Sequence, residues 1–306
     1  MKKICVLGSI NIDIVTQTPR FALPGETLTG VAFNTFPGGK GANQGVAAGR
    51  LGADVTFLGM VGNDAFAAVA LEALQSAGVK TDHIESADTS TGTATIIVNA
   101  QGENSIIVVP GANGLVDVDY VKRHTSVLDE SDILMLQLET PLETVAWAAQ
   151  YAAGRGKTVI LDPAPAQKLP DALLRCCTLV TPNETELQIA TGVDTSDDAG
   201  VRKAADMLLA QGMGAVLNKR GSKGARWLTA AGSFDVPGFK VKAVDTTAAG
   251  DSFNAGFAVS LAQGKTTEES IRYANAVGAI AVTKMGAQSA MPTAAEVAEF
   301  IEKSGR

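Results

Sequence analysis

The chain has 306 residues, enough for one large α/β domain or two smaller ones, and 46% hydrophobic with 19% charged residues suits a compact soluble protein. Aromatics at 5% and 32 glycines argue against a sandwich of large stacked rings, and a net charge of −7 supplies no basic stripe for a nucleic-acid backbone. Cys5, Cys176 and Cys177 form neither a disulfide framework nor a metal-ligand spacing, which makes a reducing cytoplasm the expected setting.

The apolar run after Lys3 is roughly six residues long before Asn11 interrupts it, too short for an export segment, and no run reaches membrane length. Ile4–Leu7 reads as a buried parallel strand ending in a Gly-Ser turn. Residues 42–51 follow as a small-residue helix, 55–60 as a strand and 65–77 as a helix stopped by Gly78. Strands are expected at 133–138, Thr158–Leu161, 179–181 and 215–217, and helices at Leu142–Ala153, Glu184–Thr191 and 199–211. Such alternation predicts an α/β fold with a doubly wound, mostly parallel sheet flanked by helices. Two β-branched stretches, 14–36 and 92–109, break the alternation. The second reads as a hairpin and the first as a strand pair with a longer loop. Together they predict a small β-sheet lid, one face of which needs a cover.

Several constellations carry chemistry. Asn11 and Asp13 stand just past the first strand, where doubly wound sheets bind ligands. An amide beside a carboxylate suits sugar hydroxyls, which both donate and accept; a plain turn is the alternative. PGGKGAN at 37–43 sets Gly39, Lys40 and Asn43 on a loop before a helix, either to hold a polyhydroxylated or anionic ligand or to close a tight turn. It is not a Walker A loop, since no Ser or Thr follows Lys40, nor GxGxxG, since Gln44 takes the third glycine's place. Glu139 follows the strand ILMLQL and is expected at the same crevice.

TPNETE at 181–186 gives Asn183 and Glu186 a capping-box spacing, and the same oxygens would serve Mg²⁺ and its waters. KRGSKG at 219–224 is a glycine turn that meets nucleotide phosphates or is simply a solvated charged turn. His83 and His124 have no partner suggesting a triad or zinc site and are expected at the surface; Trp147 and Trp227 are expected to pack. The most informative stretch is DTTAAGD at 245–251. Phe253, Phe257 and Leu261 recur every fourth residue after it, which predicts a helix whose N-terminal amides at Ala248, Ala249 and Gly250 would attract an anion. Asp251 beside that anion site would take a proton from an attacking hydroxyl, or would be an ordinary first-turn cap.

In order, GSINID, PGGKGAN, LQLETP, TPNETE and VDTTAAGD resemble the ribokinase-like (PfkB) family of carbohydrate kinases across essentially the whole chain. The resemblance implies one domain over residues 1–306, a lid that forms a homodimer interface, and transfer of the γ-phosphoryl group of ATP to the 5-hydroxyl of D-ribose. Another sugar or a nucleoside as acceptor, or a non-catalytic sensor on the same scaffold, are the alternatives. It makes Asp251 the base and the Ala248, Ala249 and Gly250 amides the anion hole, with Asn11, Asp13, Gly39, Lys40, Asn43 and Glu139 holding the sugar. Asn183 and Glu186 would organise Mg²⁺ and phosphates, Glu186 indirectly, while Lys219, Gly221, Ser222, Gly224, Gly250 and Asn275 would meet the nucleotide. Asp245, Thr247, Ala281, Lys284 and Gly286 would surround K⁺, mostly through backbone oxygens. The chain departs from the family pattern at Lys219 and Arg220, where Thr and a small or apolar residue are usual, and at Ala290, where a hydroxyl often completes the cation site. Asn11 is expected to sense the 2-hydroxyl, which favours ribose over deoxyribose.

Overall fold

The computed structural model describes residues 1–305. Its first strands are β1 (Ile4–Leu7), β2 (Asn11–Gln17), β3 (Ala32–Gly38), β4 (Val55–Gly62), β5 (Ile84–Ala87), β6 (Gly92–Val98) and β7 (Asn104–Val109). Then come β8 (Ile133–Leu136), β9 (Thr158–Leu161), β10 (Leu179–Val180), β11 (Ala215–Lys219), β12 (Ala225–Thr229) and β13 (Gly232–Val236). A nine-stranded sheet runs β13-β12-β11-β10-β9-β8-β1-β4-β5 and a four-stranded one β3-β2-β6-β7.

The large sheet is parallel from β11 to β5 and antiparallel only where β12 and β13 fold back at one edge. Its centre follows from composition. β1 is ICVL, apolar at every position, because a central parallel strand is covered on both faces. Ile4 and Val6 join one core layer with the helices Lys40–Arg50 and Ala249–Ala262, while Cys5 and Leu7 point into the opposite layer with Tyr120 and Val145. Phe257, 1% exposed, anchors the first layer, a burial worth roughly 1.5–3 kcal/mol. Trp227 stacks on it at 6.3 Å and Trp147 on Tyr151 at 5.1 Å, so both tryptophans pack as expected.

Three sequence expectations need correcting. The small sheet begins at Asn11, so Asn11 and Asp13 belong to β2 itself and not to a turn after β1. The reason is pairing: Asn11 sits opposite Gly38 on β3 and Gly92 on β6, and the parallel β2–β6 ladder joins the two predicted hairpins. Residues 225–236 form the strand pair β12–β13, and helices cover Thr267–Ala281 and Ala294–Lys303; the alternation rule had placed no element there. His124 is not a free surface residue: its Nε2 lies 2.9 Å from Glu85 and its ring meets Tyr120 edge-on at 4.9 Å. No helix among the described residues is long and apolar enough to cross a membrane.

Candidate active site

The helix Ala249–Ala262 starts from Ala248, which alone among the described non-glycine residues has a left-handed backbone (φ 55°, ψ 18°). That bend costs an L-residue about 1–2 kcal/mol, a strain worth keeping only where the backbone must turn sharply. Ala249 N–H closes the bend on the Thr246 carbonyl at 3.2 Å, whereas the Gly250 and Asp251 amides meet no protein carbonyl. Of the three expected amides, Ala249 is committed to the turn, while Ala248 and Gly250 bond to no carbonyl among the described residues; the Asp251 amide is open in the same way.

Asp251 is 6% exposed and held by amides. Asn43 Nδ2 donates to Oδ2 at 3.0 Å and Gln44 Nε2 to Oδ1 at 3.1 Å. Each amide is itself oriented: Gln288 Nε2 donates to Asn43 Oδ1 at 3.1 Å and Gln137 Nε2 to Gln44 Oε1 at 2.7 Å. Desolvation pushes the Asp251 carboxyl up to about 6; Lys40 pulls it down, Asp162 pushes it up, and the two amide bonds again favour the charged form. The carboxylate is thus poised to accept a proton near neutral pH. Asn43, expected to grip sugar, is also engaged at both ends by protein, donating to Asp251 and accepting from Gln288.

Asn11 and Asp13 line the other wall. Asn113 fixes Asn11 through a backbone relay: its Oδ1 accepts from Ile10 N–H at 2.8 Å, its Nδ2 reaches Ile10 O at 3.1 Å, and the same Nδ2 donates to Asn11 Oδ1 at 2.7 Å. Asn11 is left with its amide N–H groups to offer. No protein donor among the described residues reaches Asp13, and burial, then the nearby Glu139 and Asp251 charges, push its carboxyl up to about 6. Close approach explains the glycines here. A side chain on Gly38 would start 2.6 Å from the Asp13 carboxylate, and Gly39, at φ 88°, would put one 2.7 Å from Asn11 N. Glu139 Oε2 accepts from Lys40 N at 2.9 Å and from Ser9 Oγ, so it faces the N-terminus of the helix Lys40–Arg50. Burial alone would depress the Lys40 ammonium, but the Asp251, Asp162, Glu139 and Glu186 charges outweigh it and hold the group above its usual range.

Beyond the base, a polar cavity of about 350 Å³ is lined by Lys40, Asp162, Glu186, Lys219 and Asp251. It adjoins an apolar cleft of about 480 Å³ lined by Gly221, Ser222, Gly224, Phe253 and Asn275, among others. Lys219 and Gly250 border both. Lys219 is no solvated turn residue: it ends β11, is 12% exposed, and donates to Asp162 Oδ1 at 2.9 Å with Glu186 at 3.7 Å. Arg220 turns away, paired with Asp198 at 2.7 Å. Asn183 and Glu186 do form the capping box, each side chain 2.8 Å from the other's amide, and both also edge the polar cavity. Asn275 Nδ2 donates to the Val236 carbonyl at 3.1 Å, so it lines the cleft while strapping its helix to β13.

The supposed cation residues form a second cluster. Asp245 Oδ1 accepts from Thr247 N and Oγ1 at 2.9 and 2.6 Å, and Oδ2 from Gly286 N at 2.9 Å, bonds that hold its carboxyl below the usual range against the opposing effect of burial. One carboxylate thus ties the loop before Ala248 to the loop at Gly286. The Lys284 side chain leaves this cluster for Glu296 at 2.8 Å, so it adds at most its carbonyl; Ala281 O accepts from Lys284 N at 3.4 Å. Among the described residues no group of three or more His, Cys, Asp or Glu side chains is arranged to hold a metal.

Sequence reasoning missed Gln44, Asn113, Gln137, Asp162 and Gln288. Asp162 was findable, since it directly follows the strand Thr158–Leu161 and the carboxyl-end rule that singled out Glu139 applies to it equally. The amides carried no comparable signal, because each acts through a partner more than 90 residues away in sequence.

Known proteins resemble this chain in sequence and fold. The chain matches the pfkB family carbohydrate kinase model over residues 1–294. It is 45% identical to a ribokinase of Haemophilus influenzae over 98% of this chain and 99% of that one. It is 40% identical to a deoxyribokinase of Salmonella typhi over 97% and 98%. The solved structure of Arabidopsis thaliana ribokinase complexed with ribose and ATP superposes with a TM-score of 0.93 at 32% identity, covering 98% of this chain and 99% of that one. With the strand order, the glycine loop and the buried Asp251 at a helix mouth in place, the chain belongs to the pfkB family of carbohydrate kinases.

Proposed function

We propose that this kinase transfers the γ-phosphoryl group of ATP to the 5-hydroxyl of D-ribose. The observation that carries the reading is the buried Asp251 carboxylate beside the free Gly250 and Asp251 amides. Asp251 accepts the proton of the sugar hydroxyl as its oxygen attacks phosphorus. The P–O bond to the leaving diphosphate breaks as the new one forms, and the helix-mouth amides receive the equatorial charge. Asp13 accepts from sugar hydroxyls, Asn11 donates to one, and the strapped glycines let the ring approach the backbone. The apolar cleft takes the nucleoside and the polar cavity its phosphates.

Mg²⁺ would fit the cavity with most of its own waters, since of the lining carboxylates Asp162, Glu184, Glu186 and Asp251 two already face Lys219; there it would shield phosphate charge. The Asp245, Thr247 and Gly286 backbone oxygens suit K⁺, which would stiffen the loop carrying Ala248. The small sheet serves as the lid of a single ribokinase-like unit, and its bare edge strands support a homodimer of a cytoplasmic enzyme: Phe33 is 64% and Ile107 62% exposed.

ADP release measured against a panel of pentoses, with and without K⁺, tests the reading. Ribose is expected to stimulate release most and to exceed 2-deoxyribose. The similarity to a deoxyribokinase keeps 2-deoxyribose as the second reading, which a reversed order of the two sugars would establish.

A further inference from the structure

Lys219, so far expected only to meet the nucleotide, lines the polar cavity proposed to take the phosphates. It borders both the apolar cleft and the polar cavity, and its ammonium would lie 3.4 Å from a Cβ built on Gly250, one of the open helix-mouth amides. One of its three N–H donors goes to Asp162 at 2.9 Å; Glu186, at 3.7 Å, is an ion-pair neighbour beyond hydrogen-bond reach. Two donors remain for a ligand. Asp162 is itself buried, and Gln44 Nε2 bonds its Oδ2 at 2.9 Å while bonding Asp251 at 3.1 Å. One carboxamide therefore connects the proton acceptor to the carboxylate that anchors the cation.

Resting on the ribose-kinase reading, we propose that Lys219 is a catalytic residue that contacts the transferring phosphoryl group, and that Asp162 is the positioning residue that aims it. The ammonium keeps its proton throughout, because the surrounding carboxylates outweigh the burial that would strip it. Its contribution is electrostatic: it neutralises charge on the phosphoryl oxygens as the bond to the diphosphate breaks, while Asp251 takes the hydroxyl proton. A rigid anchor matters because a flexible lysine stem left free would swing onto Glu186 or Asp251.

Three variants separate this role from a structural one: Lys219→Met, Asp162→Asn and the double variant. Removing Lys219 alone strands a buried carboxylate, which by itself weakens folding; in the double variant neither charge remains. The double variant is expected to recover the melting temperature but not turnover, staying ~10²-fold or more below the wild type in kcat. Asp162→Asn keeps the lysine and is expected to lose roughly tenfold in kcat with little change in the KM for sugar. Binding of nucleotide without sugar provides a readout independent of turnover. In the double variant the β,γ-imido analogue of ATP is expected to lose roughly tenfold or more in affinity while ADP loses under about threefold, since only the terminal phosphate meets the ammonium. Recovery of kcat together with stability, or equal losses for both nucleotides, would overturn the proposal. Absence of sugar-stimulated ADP release by the wild type would instead overturn the parent reading and leave the nucleotide comparison to decide the role of Lys219.

Discussion

The mouth of the helix Ala249–Ala262 and the outer strands of the small sheet are opposites. At the first, the buried carboxylate is held before a ligand arrives: Asp251 has two amide donors, and each of those amides has its own support. At the second, β3 and β7 expose Phe33, Ile106, Ile107 and Val108 with no partner strand outside them. One region is rigid by internal satisfaction, the other unfinished until something covers it. Chemistry that must place a proton acceptor within tenths of an ångström belongs in the first, and recognition that must open and close belongs in the second.

The contrast is sharpened most by Asp251→Asn. Turnover is expected to fall ~10²–10⁴-fold, with the ribose dissociation constant held within about threefold, by stopped assay and calorimetry. Near-normal turnover would remove the base from the mechanism. Acid provides a reversible version of the same test. Since burial raises Asp251 and Asp13 to about 6, kcat/KM should drop about tenfold per pH unit below that value as the base is protonated. Stability moves the other way. A carboxyl raised in the folded state binds more protons there than in the unfolded chain, so these two groups favour folding increasingly as pH falls from about 6 toward their unfolded values. The wild type should therefore gain on Asp251→Asn in urea midpoint between pH 7 and pH 5, while activity collapses.

On the other side, Phe33→Glu with Ile107→Glu puts charge on both outer strands. It is expected to halve the sedimenting mass and lower kcat/KM for ribose roughly tenfold, with the melting temperature shifting only a few degrees, about 2–4 °C at most. An unchanged mass would show that the exposed strands do not join two copies. Gly39→Ala probes the hinge between the regions: its positive φ and the 2.7 Å approach to Asn11 N predict a loss of ~1–3 kcal/mol in urea unfolding and weaker ribose binding. The smallest effect is expected for Ala248→Gly. Relief of left-handed strain offsets the added freedom of the unfolded chain, so stability should change by less than about 1 kcal/mol.

The parallel core was readable because β1, β8 and β9 are continuous apolar runs separated by helices of ordinary length. The helix after DTTAAGD was readable because Phe253, Phe257 and Leu261 recur every fourth residue. What stayed hidden was whatever depends on distant partners. Lys219 could be read either as a nucleotide contact or as a solvated turn, because nothing nearby in sequence reveals Asp162, 57 residues earlier, as its acceptor. The Asn43 bond to Asp251 was hidden because it spans 208 residues. β12 and β13 went unseen because residues 225–236 alternate weakly, with Arg226 and Asp235 pairing across the ladder where apolar contacts were sought.

Asn11 and Asp13 ride on β2, which leaves β1 after only Gly8–Ile10, whereas Asp251 and Lys219 stand on the large sheet's own framework. On the proposed reading, any tilt of the small sheet would carry the acceptor alcohol's handholds as one body toward a stationary proton sink. A water molecule, having nothing for that strand to grasp, gains no such escort. On that same reading, the mechanical linkage would spare fuel from idle hydrolysis.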